Sequence, residues 1–301
     1  MAPIPTSTAG PVDDHRIPVQ DAVMAAAAGE RSVVEGDGLF ALKNSTSVVT
    51  GGARGIGLTL AAALVEAGSH VVCLDLLDEP SSEPDWLMFK ARAKELGLTA
   101  RYVQADITDA LQINTVVSEI ADEAASLGRP LNTMLHAAGV QKPGTVFDCD
   151  PAHFDWVMRV NVTGTFIVTQ AAARAMRKHK SGGSIILIAS MSGYISNRGL
   201  YCTAYNSSKA AVHQLCRSTA VELAEHNVRV NTISPGYVNT KMVEQLLQKE
   251  PALLGQWTND NPMHRIGEPS EFKGAAVFLA SGASSFMTGA DLRMDGGHCA
   301  W

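Results

Sequence analysis

Short runs rich in β-branched residues alternate with longer amphipathic stretches along most of this chain, from residue 42 to residue 294. Strands that are each separated from the next by a segment of helix length favour right-handed βαβ crossovers over hairpins. The predicted strands cover residues 47–50, 70–75, 100–105, 133–137, 183–189, 229–234 and 291–294. The predicted helices cover residues 57–67, 85–96, 110–127, 151–178, 203–225, 241–249 and 270–279. The alternation therefore predicts one α/β domain, a doubly wound parallel sheet with helices on both faces.

The composition excludes several classes of function. The 301 residues are 46% hydrophobic and 18% charged, which suits a globular domain with a sizeable core. The formal net charge of −6 leaves no basic surplus for the phosphates of a nucleic acid. No run reaches the roughly 18 apolar residues of a membrane span, and the N-terminus lacks the features of a secretory signal. We expect a soluble, cytoplasmic protein that binds neither nucleic acid nor membrane.

The five cysteines suggest neither a disulfide framework nor a metal site. They are an odd number, with no Cys-x-x-Cys pair and no histidine at metal-ligand spacing. Cys73 lies within an apolar run and is interpreted as a core residue. We therefore expect no bound metal.

The first 43 residues differ in composition and hydrophobic pattern from the rest of the chain. They contain four prolines and an alanine run at residues 25–28, without a sustained hydrophobic period. We predict an extension that is partly disordered or wraps over the domain, with a candidate short helix at residues 21–28. The folded domain is then expected to span residues 44–301.

A glycine-rich turn, Thr-Gly-Gly-Ala-Arg-Gly-Ile-Gly, occupies residues 50–57 after the first predicted strand. Where such a turn opens a helix, the free backbone N–H groups and the positive helix end can bind a pyrophosphate. We assign the turn to Gly51, the close approach of a ligand to Gly55 and its neighbour Ile56, and the packing of helix on strand to Gly57. Turn glycines also occur without ligands, so the motif depends on its context.

The context is an acidic residue at the end of the second predicted strand. Asp75 lies 18 residues after Gly57, where a carboxylate can accept hydrogen bonds from the adenosine ribose of a dinucleotide. A carboxylate would repel the 2′-phosphate of NADP, whereas Arg54 in the turn could pair with it. We favour NAD over NADP, because the acid at the strand end acts at closer range than the flexible arginine.

Two further strand ends fall at the carboxyl edge of the sheet, where open α/β sheets bind their ligands. Asp106 follows the third predicted strand and is a candidate for contact with the adenine. Ala138 and Gly139 follow the fourth strand and are candidates for the wall beside the ribose.

A phenol and an ammonium lie four residues apart in the sequence Tyr-Asn-Ser-Ser-Lys, residues 205–209. On a helix this spacing puts both side chains on one face. A phenol with a pKa of about 10 is a poor acid or base at neutral pH, but an adjacent cation stabilises the phenolate and lowers that pKa. Most such pairs are only a solvated helix face, so Tyr205 and Lys209 become candidates for proton transfer only together with the other motifs.

The glycine turn, the Tyr205-x-x-x-Lys209 pair and Pro235-Gly236 together resemble the short-chain dehydrogenase/reductase family, over about residues 40–301. The resemblance implies a seven-stranded Rossmann-type domain that transfers hydride between a nicotinamide and a substrate carbon. It implies that Tyr205 is the catalytic acid/base and that Lys209 also holds the nicotinamide ribose. It further implies a serine that polarises the substrate oxygen and an asparagine that anchors a proton-relay water.

Two serines could polarise the substrate oxygen. Ser192 lies 13 residues before Tyr205, the spacing common in the family, whereas Ser190 lies seven residues after Gly183 at the start of the fifth strand. We favour Ser190, because strand register varies less than loop length, and we place Ser192 in the substrate pocket. Asn161 matches the asparagine of the family.

Residues 234–240, Ser-Pro-Gly-Tyr-Val-Asn-Thr, resemble the segment of the family beside the nicotinamide carboxamide. By that match Val238 offers backbone contacts and Thr240 a hydroxyl to the cofactor, while Tyr237 lines the substrate pocket. Residues 241–265 are then expected to form a mobile lid that closes over the substrate.

One motif departs from the family. Where the family often has Asn-Asn-Ala-Gly, residues 136–139 are His-Ala-Ala-Gly, so the amides that usually brace the central strand are missing. We interpret His136 as a hydrogen-bonded core residue in preference to a second acid/base.

These observations predict an NAD(P)-dependent oxidoreductase that interconverts a secondary alcohol and a ketone. The sequences around Ser190 and Tyr237 are similar to those of fungal polyol and sugar-type reductases, which favours a polyol/ketose pair. A secondary-metabolite ketoreductase of polyketide type is the alternative enzyme, and a catalytically silent dinucleotide-binding sensor is the alternative class. The resemblance also implies a homotetramer or homodimer, built through the helices at residues 151–178 and 203–225.

Overall fold

The computed structural model describes residues 38–80 and 84–301. They contain a seven-stranded parallel sheet in the order β3-β2-β1-β4-β5-β6-β7. The strands are β1 (Thr46–Thr50), β2 (His70–Asp75), β3 (Ala100–Gln104), β4 (Leu131–His136), β5 (Gly183–Ile188), β6 (Val228–Pro235) and β7 (Asp291–Met294). The doubly wound Rossmann-type fold is thus confirmed. Most of the predicted N-terminal extension, with its helix candidate at residues 21–28, lies outside the described residues.

Nine α-helices connect these strands within the described residues. They are α1 (Gly55–Glu66), α2 (Pro84–Glu95), α3 (Ala110–Ser126), α4 (Pro151–Met158), α5 (Thr165–His179), α6 (Thr203–Leu223), α7 (Lys241–Lys249), α8 (Ala252–Asn259) and α9 (Lys273–Ala280). None of the helices in the described ranges is long and apolar enough to cross a membrane.

The core lies in two layers, one on each face of the sheet. Successive strand residues point to opposite faces, so Val48 packs in the layer with α3, α5 and α6, while Val49 packs in the layer with α1, α2 and α9. All four of the strand residues Val48, Val49, Leu74 and Leu135 are fully buried. Burial on both faces explains why the strands are near-continuous apolar runs.

The strand order reverses between β1 and β4. β1 pairs with β2 on one side and with β4 on the other, and Thr50 at its end is opposite both Leu74 and His136. Connections leave these two strands towards opposite halves of the sheet, which opens a crevice at their carboxyl ends. The fold therefore places a ligand site where the glycine turn begins.

Three predicted helices differ from the structure. The single helix predicted at residues 151–178 is interrupted by a π-helical segment, Arg159–Gly164, between α4 and α5. The helix predicted at residues 203–225 ends at Leu223 and continues as a 3-10 turn, and that predicted at residues 270–279 begins with the 3-10 turn Pro269–Phe272. Helix α8 was not predicted, because it contains Gly255 and follows a proline.

Candidate active site

The glycine turn is shaped so that a ligand can reach the backbone. Gly51 and Gly55 have left-handed φ angles of 68° and 56°. A Cβ on Gly51 would lie 2.7 Å from the backbone nitrogen of Ala138, and one on Gly57 would lie 2.1 Å from the carbonyl oxygen of Gly51. A Cβ on Gly55 would meet no described atom within 4 Å. Gly51 and Gly57 thus serve close backbone packing, whereas Gly55 faces open space.

Helix α1 begins directly at this turn. Arg54 is its N-cap residue in an extended conformation, and in the described chain no side chain caps the helix. The N–H groups of Gly55, Ile56 and Gly57 are therefore available to an anion at the positive end of the helix. The Arg54 side chain is exposed beside the same opening.

Asp75 ends β2 next to the glycine turn. Its Oδ2 accepts a hydrogen bond of 3.2 Å from the backbone N–H of Ala53, and its side chain lines the crevice. The carboxylate therefore anchors the turn as well as facing the position expected for a ribose. Neither use prevents the other, because a carboxylate can accept several hydrogen bonds.

Asp106, Ala138 and Gly139 line the crevice at the ends of β3 and β4, as expected from the topology. Oδ1 of Asp106 accepts hydrogen bonds from the backbone N–H and the hydroxyl of Thr108, so this carboxylate also stabilises its own turn. A Cβ on Gly139 would lie 3.3 Å from Asn161 Oδ1, so a larger residue there would crowd Asn161.

Tyr205 and Ser190 meet at the floor of the crevice. Ser190 follows β5, and its Oγ accepts a hydrogen bond of 3.1 Å from the backbone N–H of Ser192, which fixes the turn. Ser190 also lies beside the Tyr205 phenol at the start of α6, where its hydroxyl lowers the phenol pKa. The structure thus brings Ser190 to the phenol and leaves Ser192 buried beside it, an arrangement consistent with the argument from strand register.

Lys209 lies one turn along α6 from Tyr205. Its Nζ donates a hydrogen bond of 2.8 Å to the carbonyl oxygen of Ile188 and stands 5.6 Å from the centre of the Tyr205 ring. The lysine is buried, and α6 together with β5 holds its ammonium against the floor of the crevice.

Burial shifts the pKa of both groups. It raises the pKa of Tyr205 to about 12, against the opposing hydrogen bond from Ser190, and it lowers the pKa of Lys209 to about 8. The net pKa of the phenol is therefore raised, and the lowering expected from the lysine is outweighed. Loss of water around the phenol dominates, because the ammonium is directed at the Ile188 carbonyl and lies over the ring face.

Asn161 lies in the π-helical segment, buried behind the crevice. Its amide is hydrogen-bonded in both directions to Val140, whose N–H donates to Oδ1 at 2.8 Å and whose carbonyl accepts from Nδ2 at 2.9 Å. Nδ2 also donates to the hydroxyl of Ser208 on α6. Asn161 therefore joins the loop after β4 to the helix that carries Tyr205 and Lys209.

The segment after β6 forms the far wall of the crevice. Val238 is buried and pairs with Gly267 in a short bridge, and the Thr240 hydroxyl accepts a hydrogen bond from the Val243 N–H as N-cap of α7. The expected lid, residues 241–265, contains α7 and α8. All three of Tyr237, Val238 and Thr240 line the crevice.

The sequence analysis did not predict an aromatic wall of the crevice, formed by Tyr237 and Trp257. Tyr237 stacks on Trp257 of α8 with ring centres 3.9 Å apart and planes 8° apart, and Asn197 donates a hydrogen bond to the Tyr237 hydroxyl. Together with Leu200, these residues line the crevice near Tyr205. Trp257 is separated from Tyr237 by 20 residues, and no sequence signal connected the two.

The crevice is large enough for a dinucleotide and a small substrate. Its volume is about 1670 Å³, and it extends from the glycine turn to Tyr205 and the aromatic wall. Its residues fit a nicotinamide dinucleotide: the uncapped N-terminus of α1 suits a pyrophosphate, open space above Gly55 admits it, and Asp75 suits a ribose.

Comparison with known proteins agrees with this geometry. A family model of the short-chain dehydrogenase class, described as enoyl-(acyl carrier protein) reductase, matches residues 51–298. The chain belongs to the short-chain dehydrogenase/reductase family. It is an NAD(P)-dependent oxidoreductase that acts on a CH–OH group or the corresponding carbonyl.

Three relatives indicate the range of the family around this chain. It is 42% identical to the short-chain dehydrogenase/reductase notP' of Aspergillus versicolor, over 87% of this chain and 90% of that protein. It is 38% identical to the L-tagatose-forming galactitol 2-dehydrogenase of Cereibacter sphaeroides, over 87% and 98%. A solved gluconate 5-dehydrogenase of Burkholderia cenocepacia, in complex with NADP and tartrate, is 30% identical with a TM-score of 0.77, over 88% and 98%. The resemblance to polyol and sugar-type reductases is thereby confirmed.

Proposed function

We propose that this chain interconverts the secondary alcohol of a polyol and the ketone of a ketose, with Tyr205 as the proton-transferring group. The observation that carries the proposal is the contact of Tyr205 with Ser190, with Lys209 over the ring, at the inner end of the crevice that starts at the glycine turn. A phenol needs such neighbours to exchange a proton with a substrate oxygen.

The residues divide the work as follows. Ser190 and Tyr205 hydrogen-bond the substrate oxygen, and Tyr205 gives or takes its proton. Lys209 supplies a positive charge that favours the phenolate over the phenol and is placed to hold a ribose hydroxyl. Asn161 fixes the position of the loop after β4 relative to helix α6. A nicotinamide held in the crevice would supply or accept the hydride.

We propose NAD as the preferred cofactor. Asp75 supports this, because its carboxylate lines the crevice where a 2′-phosphate would have to sit. The exposed Arg54 and the NADP in the related gluconate 5-dehydrogenase support the opposite choice. We give the carboxylate more weight than the arginine, because the Ala53 N–H fixes the carboxylate in place whereas the Arg54 side chain is exposed.

The substrate proposal rests on the relatives and on the polar groups of the pocket. Galactitol 2-dehydrogenase acts on a secondary alcohol of a hexitol, and Ser192, Asn197 and Gln141 could hydrogen-bond further hydroxyls. The stacked Tyr237 and Trp257 favour a second candidate, a ketoreductase for a bulkier apolar ketone, because an aromatic wall binds flat carbon frameworks.

The proposal is tested by the absorbance of reduced nicotinamide, with NAD and NADP in parallel. The substrate panel contains galactitol, other hexitols and pentitols, the matching ketoses, and aromatic and polyketide-type ketones. Polyol or ketose turnover, faster with NAD or NADH, is the expected result. Turnover of bulky ketones alone would establish the ketoreductase instead. Tight cofactor binding without any turnover would support the silent sensor.

We further propose a cytoplasmic homotetramer or homodimer. The five free cysteines suit a reducing compartment. The helices predicted to form the interface carry large apolar side chains in the open, including Trp156 on α4, Phe166 on α5 and Val221 on α6. Exposed apolar groups of this size on neighbouring helices are typical of subunit contacts.

A further inference from the structure

His136 lies at the centre of a hydrogen-bond chain that joins three elements. Its Nδ1 is 2.7 Å from the Thr50 hydroxyl at the end of β1, and its Nε2 is 2.9 Å from the Thr165 hydroxyl at the start of α5. The Thr165 hydroxyl in turn donates to the backbone carbonyl oxygen of Asn161 at 2.6 Å. All four side chains are buried. His136 stands at a position where the family often has an asparagine.

The direction of every bond follows from chemistry. A carbonyl oxygen only accepts, so the Thr165 hydroxyl hydrogen is committed to Asn161, and Thr165 must accept from the Nε2–H of His136. Burial, with a smaller contribution from nearby Lys209, lowers the pKa of His136 to about 3, so the ring is neutral and its Nδ1 is an acceptor. The Thr50 hydroxyl therefore donates to Nδ1.

The same chain continues to the proton-transferring helix. Asn161 holds Val140 through both atoms of its amide and donates to the Ser208 hydroxyl. That hydroxyl donates to the carbonyl oxygen of Tyr205 at 2.7 Å. Two sets of oriented hydrogen bonds, one to the backbone and one to the side chain of Asn161, therefore meet at this residue and connect the end of β1, beside the glycine turn, with the first turn of α6.

We propose that His136 is a positioning residue that ties the end of β1 to the π-helical segment and thereby orients Asn161 between Val140 and the helix of Tyr205 and Lys209. The inference rests on the proposed function, because orientation of Asn161 affects rate only if Tyr205 and Lys209 carry the reaction. The histidine does not touch the substrate or exchange its proton.

The chain offers a matched pair of variants to test this. Thr165→Val keeps the shape of the side chain but breaks the link between His136 and Asn161, whereas Thr165→Ser retains the hydroxyl. Thr169→Val is the control: Thr169 is buried one turn further along α5, and its hydroxyl makes the same kind of bond, 2.8 Å to the Thr165 carbonyl oxygen. It lies outside the chain that contains His136.

The kinetic readout separates positioning from general stability. Thr165→Val should lower kcat by about ten- to a hundredfold, with the KM of both substrates within about twofold of wild type, because small misplacement of catalytic groups costs that much. Thr165→Ser should restore kcat, and Thr169→Val should leave it within about twofold. Equal losses in both valine variants, or no loss in either, would overturn the proposal.

A second readout does not depend on turnover. In nuclear magnetic resonance spectra, His136 should carry its proton on Nε2 and should not titrate between pH 5 and 9. The side-chain amide signal of Asn161 should move in Thr165→Val and stay in place in Thr169→Val. An unmoved amide in both variants contradicts the proposal even in an active enzyme. If the amide signal moves in Thr165→Val but the protein turns over no substrate, the positioning role of His136 is supported and the proposed function is refuted.

Discussion

Tyr205, half-buried, and Lys209, buried, lie side by side at the floor of the crevice, and loss of contact with water moves their pKa values apart, from 10.0 to about 12 and from 10.5 to about 8. Each value reflects the cost of holding a charged form away from water. At neutral pH the lysine is mostly protonated in spite of this cost. The protein therefore keeps an ammonium in a place where it lowers stability, as is common at functional sites.

This cost predicts a pH-dependent stability difference for Lys209→Met. A lysine pKa depressed from 10.5 to about 8 destabilises the fold fully below pH 8, and the penalty disappears as the pH rises towards 10.5. Between pH 7 and pH 10, urea unfolding should show wild type gaining about 2 kcal/mol relative to Lys209→Met. Exposed Lys90 on α2 provides the control, because the difference for Lys90→Met should stay constant. A constant difference for Lys209→Met as well would refute the depressed pKa.

Replacement of Asp75 tests the choice of cofactor. Asp75→Ser removes the charge beside the expected ribose, so the Kd for NAD should rise by about tenfold or more while that for NADP falls. Because Asp75 also anchors Ala53, both affinities could weaken together, and the ratio of the two Kd values is the deciding quantity. Asp78→Ser, at an exposed carboxylate bonded to Gln104, is the control. An unchanged ratio in titrations of nucleotide fluorescence would show that Asp75 does not select the cofactor.

At the scale of single elements, the sequence identified those whose boundaries are set locally. β2, β7 and α7 have the predicted limits, because turn residues or caps such as Gly68, Gly289 and Thr240 bound them. The π-helical segment could not be predicted, since its six residues lie inside a continuous stretch of helix length, residues 151–178. Asn161, held by Val140 and Ser208, selects the wider turn only in the folded state.

Helix α8 was missed for a related reason. Its stability comes from burying Trp257 against Tyr237 rather than from local propensity. Trp257→Ala should therefore cost about 3 kcal/mol in the free energy of unfolding and raise the KM for substrate, because the aromatic wall is lost. Leu254→Ala, on the same helix and 42% exposed, should cost less than about 1 kcal/mol. Equal costs in denaturant unfolding would mean that the stacked pair does not hold the helix.

For the whole molecule, the strand and helix alternation was sufficient to predict the sheet, its parallel strands and the edge that carries the site. The degree to which the site residues are buried was not predictable. Burial of Lys209 and His136, and the partial burial of Tyr205, depend on helices packed from both halves of the chain, so the raised phenol pKa had no local signal. The same holds for the hydrogen-bond partners of His136, Thr50 and Thr165, which are separated by 115 positions.

The assembly is also predicted at this scale. Phe166→Asp places a charge on an outer face of α5, where we expect a subunit contact, and should shift the mass from tetramer or dimer towards monomer. Leu87→Asp, at an exposed leucine on α2, should leave the mass unchanged. Light scattering after size-exclusion chromatography distinguishes the cases. A wild-type monomer, or equal behaviour of both variants, would contradict the proposed interface.

The central claim is that Tyr205 exchanges the proton of the substrate. The most direct measurement is kcat for the best polyol or ketose with Tyr205→Phe, compared with Tyr201→Phe at an exposed tyrosine four residues earlier. Tyr205→Phe should lower kcat by about a thousandfold or more while its Kd for NADH stays within about threefold of wild type. Tyr201→Phe should keep the wild-type rate. Retention of more than a tenth of the wild-type kcat in Tyr205→Phe, with NADH binding intact, would contradict the account.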